Sequence, residues 1–489
     1  MLLKLKRFEK LALFLLLLIC AAGAFYYGVT FQNVNDGFWH IKVGEYIIKH
    51  KVIPYKDIFS WYGIRNNLSW TSQEWLFGII AYLVYSINGF FGVSIFVGIV
   101  NLITVLLVFF YSYVRCKNKW ISLMISFFYC INSSIIVTYR PILISIPLLL
   151  IICILLEKEQ YVVALIIMIV GINIHGGIYP IYIFIFGYYT ILKKNQFFIL
   201  SLLAVLINPY TIGIYEYTYK LMFNNGNANN YINEWHTTAI YDYKYCLMIA
   251  IFCVFIYMCA KVKRRDLIFS GALIFLSLTA VRQIVFLYTF VLPILSPYIL
   301  KAANNFSATY LSDIKIYRLI CKKIKFKSNI LFNTILSLFI IVFSITVISS
   351  DASGFYKNGG TLFEVTNSGY PVEAVNYILK HPGIKNSNLL SDYNDSPYLI
   401  FRGVPTFVDS RQDLFTRNFN KTNAYFDYMS VFVDLQPATT LLKEYRVDYI
   451  LLNENSAIYK VLRNDPILSV TYQDADYCIM KVNKNMLDN

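Results

Sequence analysis

Charge is what this chain has least of. Only 15% of its 489 residues are Asp, Glu, Lys or Arg, while 57% are hydrophobic; a soluble domain carries about 25% charged residues. That shortage excludes an ordinary soluble fold and points to a chain immersed in lipid. The nine cysteines include no CxxC pair, and only Cys478 lies far into the C-terminal region, which excludes a disulfide framework or a zinc site read from spacing. No internal repeat of the kind many transporters carry is visible. The first apolar stretch, Leu11 to Tyr27 behind Lys4, Lys6, Arg7 and Lys10, lacks a small-residue cleavage site and is followed by many more. It reads as a retained helix, not a secretory signal. The net charge of +15 invites nucleic-acid binding, but the basic residues cluster between apolar segments, at Arg115/Lys117/Lys119, Lys193/Lys194, Lys261/Lys263/Arg264/Arg265 and Lys315 to Lys327. That pattern is the positive-inside signal and argues against a nucleic-acid partner.

What is present is a set of about eleven apolar segments, at 11–28, 90–114, 120–138, 142–156, 161–175, 178–193, 197–212, 246–260, 267–280, 284–300 and 329–348. Several fall short of the ~20 residues of an upright span. The apolar stretch Glu74 to Ile87 is left out of this count, because as a span it would place Arg115, Cys116 and Lys117 outside and invert every later basic loop. Laid on the outer interface as an amphipathic helix ending at Asn88-Gly89, it keeps the charge rule throughout. The N-terminus is then cytoplasmic and the C-terminus external, in the cell (inner) membrane. Three parts face outward: a first loop of 30–89, a polar loop near 213–245, and a tail from about 350. In the tail polar residues return, with helices expected at Val372–Lys380 and Ala438–Tyr445 and strands at Thr406–Val408, Val447–Leu452 and Tyr477–Val482. The expected architecture is an α-helical polytopic membrane domain over 1–349 and an extracytoplasmic α/β domain over 350–489.

With this threading, nearly every residue able to do chemistry falls on the outer face. Charge in or beside a membrane is costly and tends to be kept for function or paired. Asp36, in Asn35-Asp36-Gly37-Phe38-Trp39-His40, would sit at interface depth, where a general base can reach both lipid and water; it could equally cap the helix from Phe38 to His50. His40 lies one turn on. Glu74 follows Thr71 at capping-box spacing, so a helix start competes with a site role. Arg140 occupies a tight hairpin, Tyr139-Arg140-Pro141, and could grip a phosphate or snorkel to headgroups. Asn173 and His175 end a span beside Gly176-Gly177, glycines that allow close backbone approach; His175 lacks a second ligand at helical spacing, so no metal site follows. Asn208-Pro209-Tyr210 reads as a helix end. Glu234-Trp235-His236 offers an acid, a sugar-stacking ring and an imidazole on a loop. Arg282 opens a span with no acid nearby in sequence, and a bound anion would compensate it. The run from Phe407 to Asp413 reads as a structural ion network more than as catalytic.

Taken in order, Trp39-His40, Gly44-Glu45, Ile53-Pro54, Asp57-Ile58-Phe59-Ser60, Trp70, Glu74-Trp75-Leu76, Asn173-Ile174-His175-Gly176, Asn208-Pro209-Tyr210, Glu234-Trp235, Arg282 and Val408-Asp409-Ser410-Arg411 resemble bacterial multi-spanning proteins of the GT-C glycosyltransferase superfamily. Protein O-mannosyltransferases and aminoarabinose transferases are among its members. The resemblance implies a catalytic carboxylate in the first external loop, matched by Asp36, and interfacial helices in that loop. It also implies a sugar donor carried on polyprenyl phosphate, with Arg140 and Arg282 as donor-phosphate contacts. His40, Glu74, Asn173, His175, Glu234 and Trp235 complete the expected substrate site. Many members carry Asp-Glu or Asp-x-Asp where this chain has Asp36-Gly37, so no metal or other cofactor is expected.

The expected function is therefore transfer of a sugar, with inversion, to a glycan, lipid or protein acceptor at the outer membrane surface. Two rivals stand beside it: a transporter or flippase for lipid-linked saccharides, and a non-catalytic envelope protein that binds saccharide.

Overall fold

The computed structural model describes residues 2–30, 35–223, 230–237, 244–306 and 369–487. The predicted segment 329–348 and the predicted domain boundary near 350 lie outside the described residues.

Each of the other ten apolar segments is helical, because long runs of Leu, Ile, Val and Phe in lipid satisfy their backbone only within their own helix. Helices run at Leu2–Val29, Lys119–Ile136, Ile142–Glu157, Tyr161–Ile174, Tyr179–Thr190, Asn195–Leu203, Lys244–Cys259, Arg264–Thr279 and Leu292–Phe306. The last is preceded by a π-helical turn, Leu287–Val291. Among the described residues three helices are long and apolar enough to cross a membrane: Glu9–Val29, Trp75–Cys116 and Val281–Phe306. Others, such as Ile142–Glu157 and Tyr161–Ile174, are apolar but shorter.

The 42-residue helix Trp75–Cys116 breaks at Asn88 and Gly89, whose dihedrals leave the helical region. Unbroken it would be about 63 Å long, twice a hydrocarbon core. Gly89 takes φ +56°, a left-handed value that suits glycine. The expected separation of Glu74–Ile87 from the span beginning at residue 90 is thus present as a sharp kink. Beneath it runs the helix Gly37–His50. The two helices touch where Gly44 meets Gly78: a Cβ on Gly44 would overlap the Gly78 carbonyl. That glycine contact brings His40 and Glu74 within reach of each other.

Polar residues gather at both ends of the bundle. At one end Arg115 pairs with Glu157 at 2.6 Å and Asp266 at 3.0 Å, and Tyr298 donates to Asp266 at 2.6 Å. At the other end lie the residues singled out above.

The tail carries a four-stranded sheet in the order β1-β2-β4-β3, with β1 Leu389–Ser391, β2 Tyr449–Asn453, β3 Leu468–Gln473 and β4 Tyr477–Val482. β1 and β2 are parallel and the other pairs antiparallel. The predicted Val372–Lys380 and Tyr477–Val482 match residue for residue. The predicted strand Thr406–Val408 does not form; Thr406 makes only a single parallel bridge to Ser60. Its role is to attach the tail to the first loop, with Trp61 N donating to Thr406 O at 2.9 Å. The two parts share one apolar core in which Trp39, Val43, Trp61 and Trp70 pack with Leu390, Phe407, Phe415 and Ile450. Trp61 Nε1 donates to Leu389 O at 2.9 Å, and Tyr62 and Thr422 hydroxyls meet at 2.6 Å.

Candidate functional site

Six separate segments bring all nine sequence-predicted site residues together, from residues 36–40, 74, 140, 173–175, 234–235 and 282. Asp36 occupies the N-cap position of Gly37–His50, yet its side chain makes no capping hydrogen bond. Its carboxylate instead meets Arg140, Oδ2 to Nε at 3.0 Å. Arg140 in turn donates from Nη1 to both carboxylate oxygens of Glu234, each at 2.7 Å. Arg140 therefore ties two acids from distant segments into one ion network.

Glu74 is the second focus. The helix starts at Trp75, so Glu74 is itself the N-cap, without a side-chain cap bond, and the capping box with Thr71 does not form. Its carboxyl lies between two imidazoles, 3.4 Å from His40 Nε2 and 3.6 Å from His175 Nε2. Burial pushes the Glu74 carboxyl up to about 8, with nearby Asp36 adding to the effect, and burial pushes the His40 imidazole down to about 3. At neutral pH the Glu74–His40 contact is thus a neutral acid beside a neutral ring, not an ion pair. Asp36 goes the other way. Burial raises it, but Arg140 outweighs that together with Ser410, His40 and Trp39, leaving it below the ordinary carboxylate value. Ser410 Oγ and Trp39 Nε1 act on Asp36 from close by, although neither reaches hydrogen-bonding geometry and both are buried donors without a partner. Two carboxyls held in opposite protonation states are the arrangement from which acid and base roles are assigned.

Asn173 braces this pair: its Oδ1 accepts from Trp75 Nε1 at 3.2 Å and from Asn208 Nδ2 at 3.3 Å. Asn208 thus does more than end a helix. Ser145 Oγ meets His175 Nδ1 at 3.2 Å. The glycines beside His175 pack closely on Gln73, whose side chain would lie 3.2 Å from a Cβ on Gly176 and 2.9 Å from one on Gly177. Arg282 stacks over Trp235 with its guanidinium carbon 4.2 Å from the ring centroid. Among the described residues this exposed arginine makes no ion pair, and Glu234 and Glu74 are the acids whose field reaches it.

Sequence reasoning passed over the tail's share. Arg411 is buried between Asp57 at 2.9 Å and Asp409 at 2.7 Å, and its guanidinium lies over Trp70 at 4.5 Å. The expected structural ion network at 407–413 is present, but it joins the first loop to the tail. Asp413, pushed up to about 6 by burial, contributes to the field at Glu74. Tyr393, at the end of parallel strand β1, adds to the field at Arg140. Nothing local in the sequence signals these partners, because Arg411 pairs with Asp57, Asp413 acts on Glu74 and Tyr393 acts on Arg140 across hundreds of intervening residues. Among the described residues no three His, Cys, Asp or Glu side chains converge as a metal site.

No protein-family model matches this chain, and neither does any curated protein sequence.

Proposed function

We propose that the chain is an integral membrane glycosyltransferase of the GT-C kind, moving a sugar from a polyprenyl-phosphate donor to an envelope acceptor on the outer face. The observation that carries this reading is the convergence of Asp36, ionised against Arg140, with Glu74, neutral between two imidazoles. In the proposed step an acceptor hydroxyl attacks the anomeric carbon. The new carbon–oxygen bond forms as the bond to phosphate breaks, with inversion; the hydroxyl proton goes to Asp36, and the electron pair leaves with polyprenyl phosphate. Arg282, free of a carboxylate partner among the described residues, would stabilise that phosphate. Neutral Glu74 would not repel it.

About eleven spans, with the N-terminus cytoplasmic and the tail outside, complete the proposal. Because the tail packs on the first loop, both lie on one side of the membrane, and an even number of crossings must separate them. The ten proposed spans after residue 89 meet that parity; counting Glu74–Ile87 as another would break it.

A second reading, a non-catalytic saccharide-binding protein, draws on the closed Asp36–Arg140–Glu234 network, whose charges already compensate one another. Asp36→Asn separates the two. With undecaprenyl-phosphoryl sugars as donors in membranes, loss of transfer supports the transferase, and full retained activity would sink it.

A further inference from the structure

The helix Gly213–Phe223 opens the loop that reads from the sequence as polar, yet it turns an apolar face outward. Residues 215, 219 and 222 recur at i, i+4 and i+7 and share one side of the helix, with 212 and 223 beside them. Ile212, Tyr215, Tyr219, Met222 and Phe223 are all exposed, Tyr219 at 58% and Phe223 at 70%. The rings of Tyr219 and Phe223 lie 5.4 Å apart. The opposite side is packed on protein, where Ile214, Tyr217 and Thr218 are buried. Tyr217 OH accepts from Gln73 Nε2 at 3.4 Å, and its ring lies 5.5 Å from that of Phe419 in the tail. Between the two faces runs a charged edge, where Lys220 pairs with Glu216 at 2.8 Å.

An exposed apolar face on a helix already packed on its other side marks an interaction surface. What the face continues identifies the partner. Tyr215 OH donates to Leu202 O at 2.8 Å, which ties the helix to the apolar segment Asn195–Ile207. Asn173 Nδ2 donates to Ile207 O at 3.4 Å, which ties that segment to Tyr161–Ile174. Both carry exposed aliphatic side chains, Ile199, Leu203 and Leu206 on one and Val162, Ile166 and Val170 on the other. Gly213–Phe223 thus ends an aliphatic band with an aromatic cluster and a charged edge. That sequence of aliphatic, aromatic and charged groups follows a bilayer from its hydrocarbon to its headgroups. A protein partner would find few hydrogen-bonding groups on the stripe, where the Tyr215 hydroxyl is already engaged; lipid asks for none. We propose that Gly213–Phe223 is an in-plane helix whose stripe of Tyr215, Tyr219, Met222 and Phe223 lies in the lipid headgroup layer on the site's side of the membrane. One helix thickness, about 10 Å, then separates the headgroups from Gln73 and the adjoining Glu74. This assignment needs only the membrane embedding proposed above, not the transfer of sugar.

The test is photo-crosslinking of the full-length protein in nanodiscs of phosphatidylcholine and phosphatidylglycerol. The photoreactive residue p-benzoylphenylalanine replaces Tyr219, Phe223, Ile199 or Val461, one at a time. Ile199 reports the apolar segment and Val461 the tail surface; with Tyr219 they are similarly exposed, at 52%, 54% and 58%, so exposure alone predicts equal yields. Each replaced side chain points outward, and the variants should melt close to the wild-type temperature. After irradiation and removal of free lipid, the intact mass of the protein shows what was captured. Tyr219 and Phe223 should gain the mass of one phospholipid at a yield close to that of Ile199, with Val461 near the unirradiated background. Lipid capture at Ile199 with Tyr219 and Phe223 at the Val461 level overturns the in-plane helix and leaves the membrane embedding standing. Chain-to-chain products at Tyr219 and Phe223 in place of lipid overturn it in favour of a second copy. No lipid at Ile199 or at either helix position overturns the embedding and the in-plane helix together.

Discussion

Replacing Glu74 by Gln tests the electrostatic heart of the site without any substrate. The Glu74 carboxyl is raised from its ordinary 4.5 to about 8 by burial, and its side chain is 18% exposed. A raised acid binds its proton more tightly in the folded state. The associated stability is therefore complete below about pH 4.5, declines as pH rises, and is lost above about pH 8. That interval corresponds to about 5 kcal/mol at most, and to roughly half that once the neighbours respond to the new charge. Gln keeps the size and hydrogen-bonding reach of the neutral acid but cannot ionise. His40, held down at about 3 by burial, works in the opposite direction below its ordinary 6.5, so the informative quantity is the difference between variant and wild type. Thermal unfolding of both proteins in detergent from about pH 5 to pH 9 should show Glu74→Gln near wild type at the acid end and more stable at the alkaline end. Parallel pH profiles for the two proteins would refute the assignment of a neutral Glu74.

Gly44→Ala places a methyl group against the Gly78 carbonyl and should cost about 1–3 kcal/mol, read as a lower melting temperature. Arg411→Ala leaves Asp57 and Asp409 buried without their cation. It should destabilise the fold by about 3–5 kcal/mol, and Arg411→Lys should recover little of that, because lysine cannot serve both carboxylates with a planar fork; chemical unfolding measures both. Arg282→Ala should weaken undecaprenyl phosphate binding about tenfold or more while leaving the melting temperature close to wild type, since Arg282 makes no ion pair among the described residues.

Where helices lie was largely legible, because lipid-facing segments carry a continuous apolar signal, and the Asn88-Gly89 break could be read from its residues. The site was legible as a set of residue types at the ends of apolar segments. Its pairings were not. Arg140 could not be matched with Asp36 and Glu234 from spacing, because an ion pair across 94 residues has no periodic trace. The capping box at Thr71 and Glu74 looked sufficient locally and lost to the tertiary pull of two imidazoles. Strands β1 and β3 were missed for different reasons: β1 is three residues long, and β3 is an edge strand with mostly exposed side chains, so neither carries a clear alternation.

The hydrogen bond from Trp61 to Leu389 spans 328 residues of chain. The first loop therefore emerges from the ribosome long before the surfaces that cover Trp39, Trp61 and Trp70 exist. During that interval its aromatic residues have only the membrane surface and each other to shelter against. Long-range closures of this kind are slow to form. The core around Trp39, Trp61 and Trp70 is then complete only after the segment that carries Leu389 and Phe407 has been synthesised and docked.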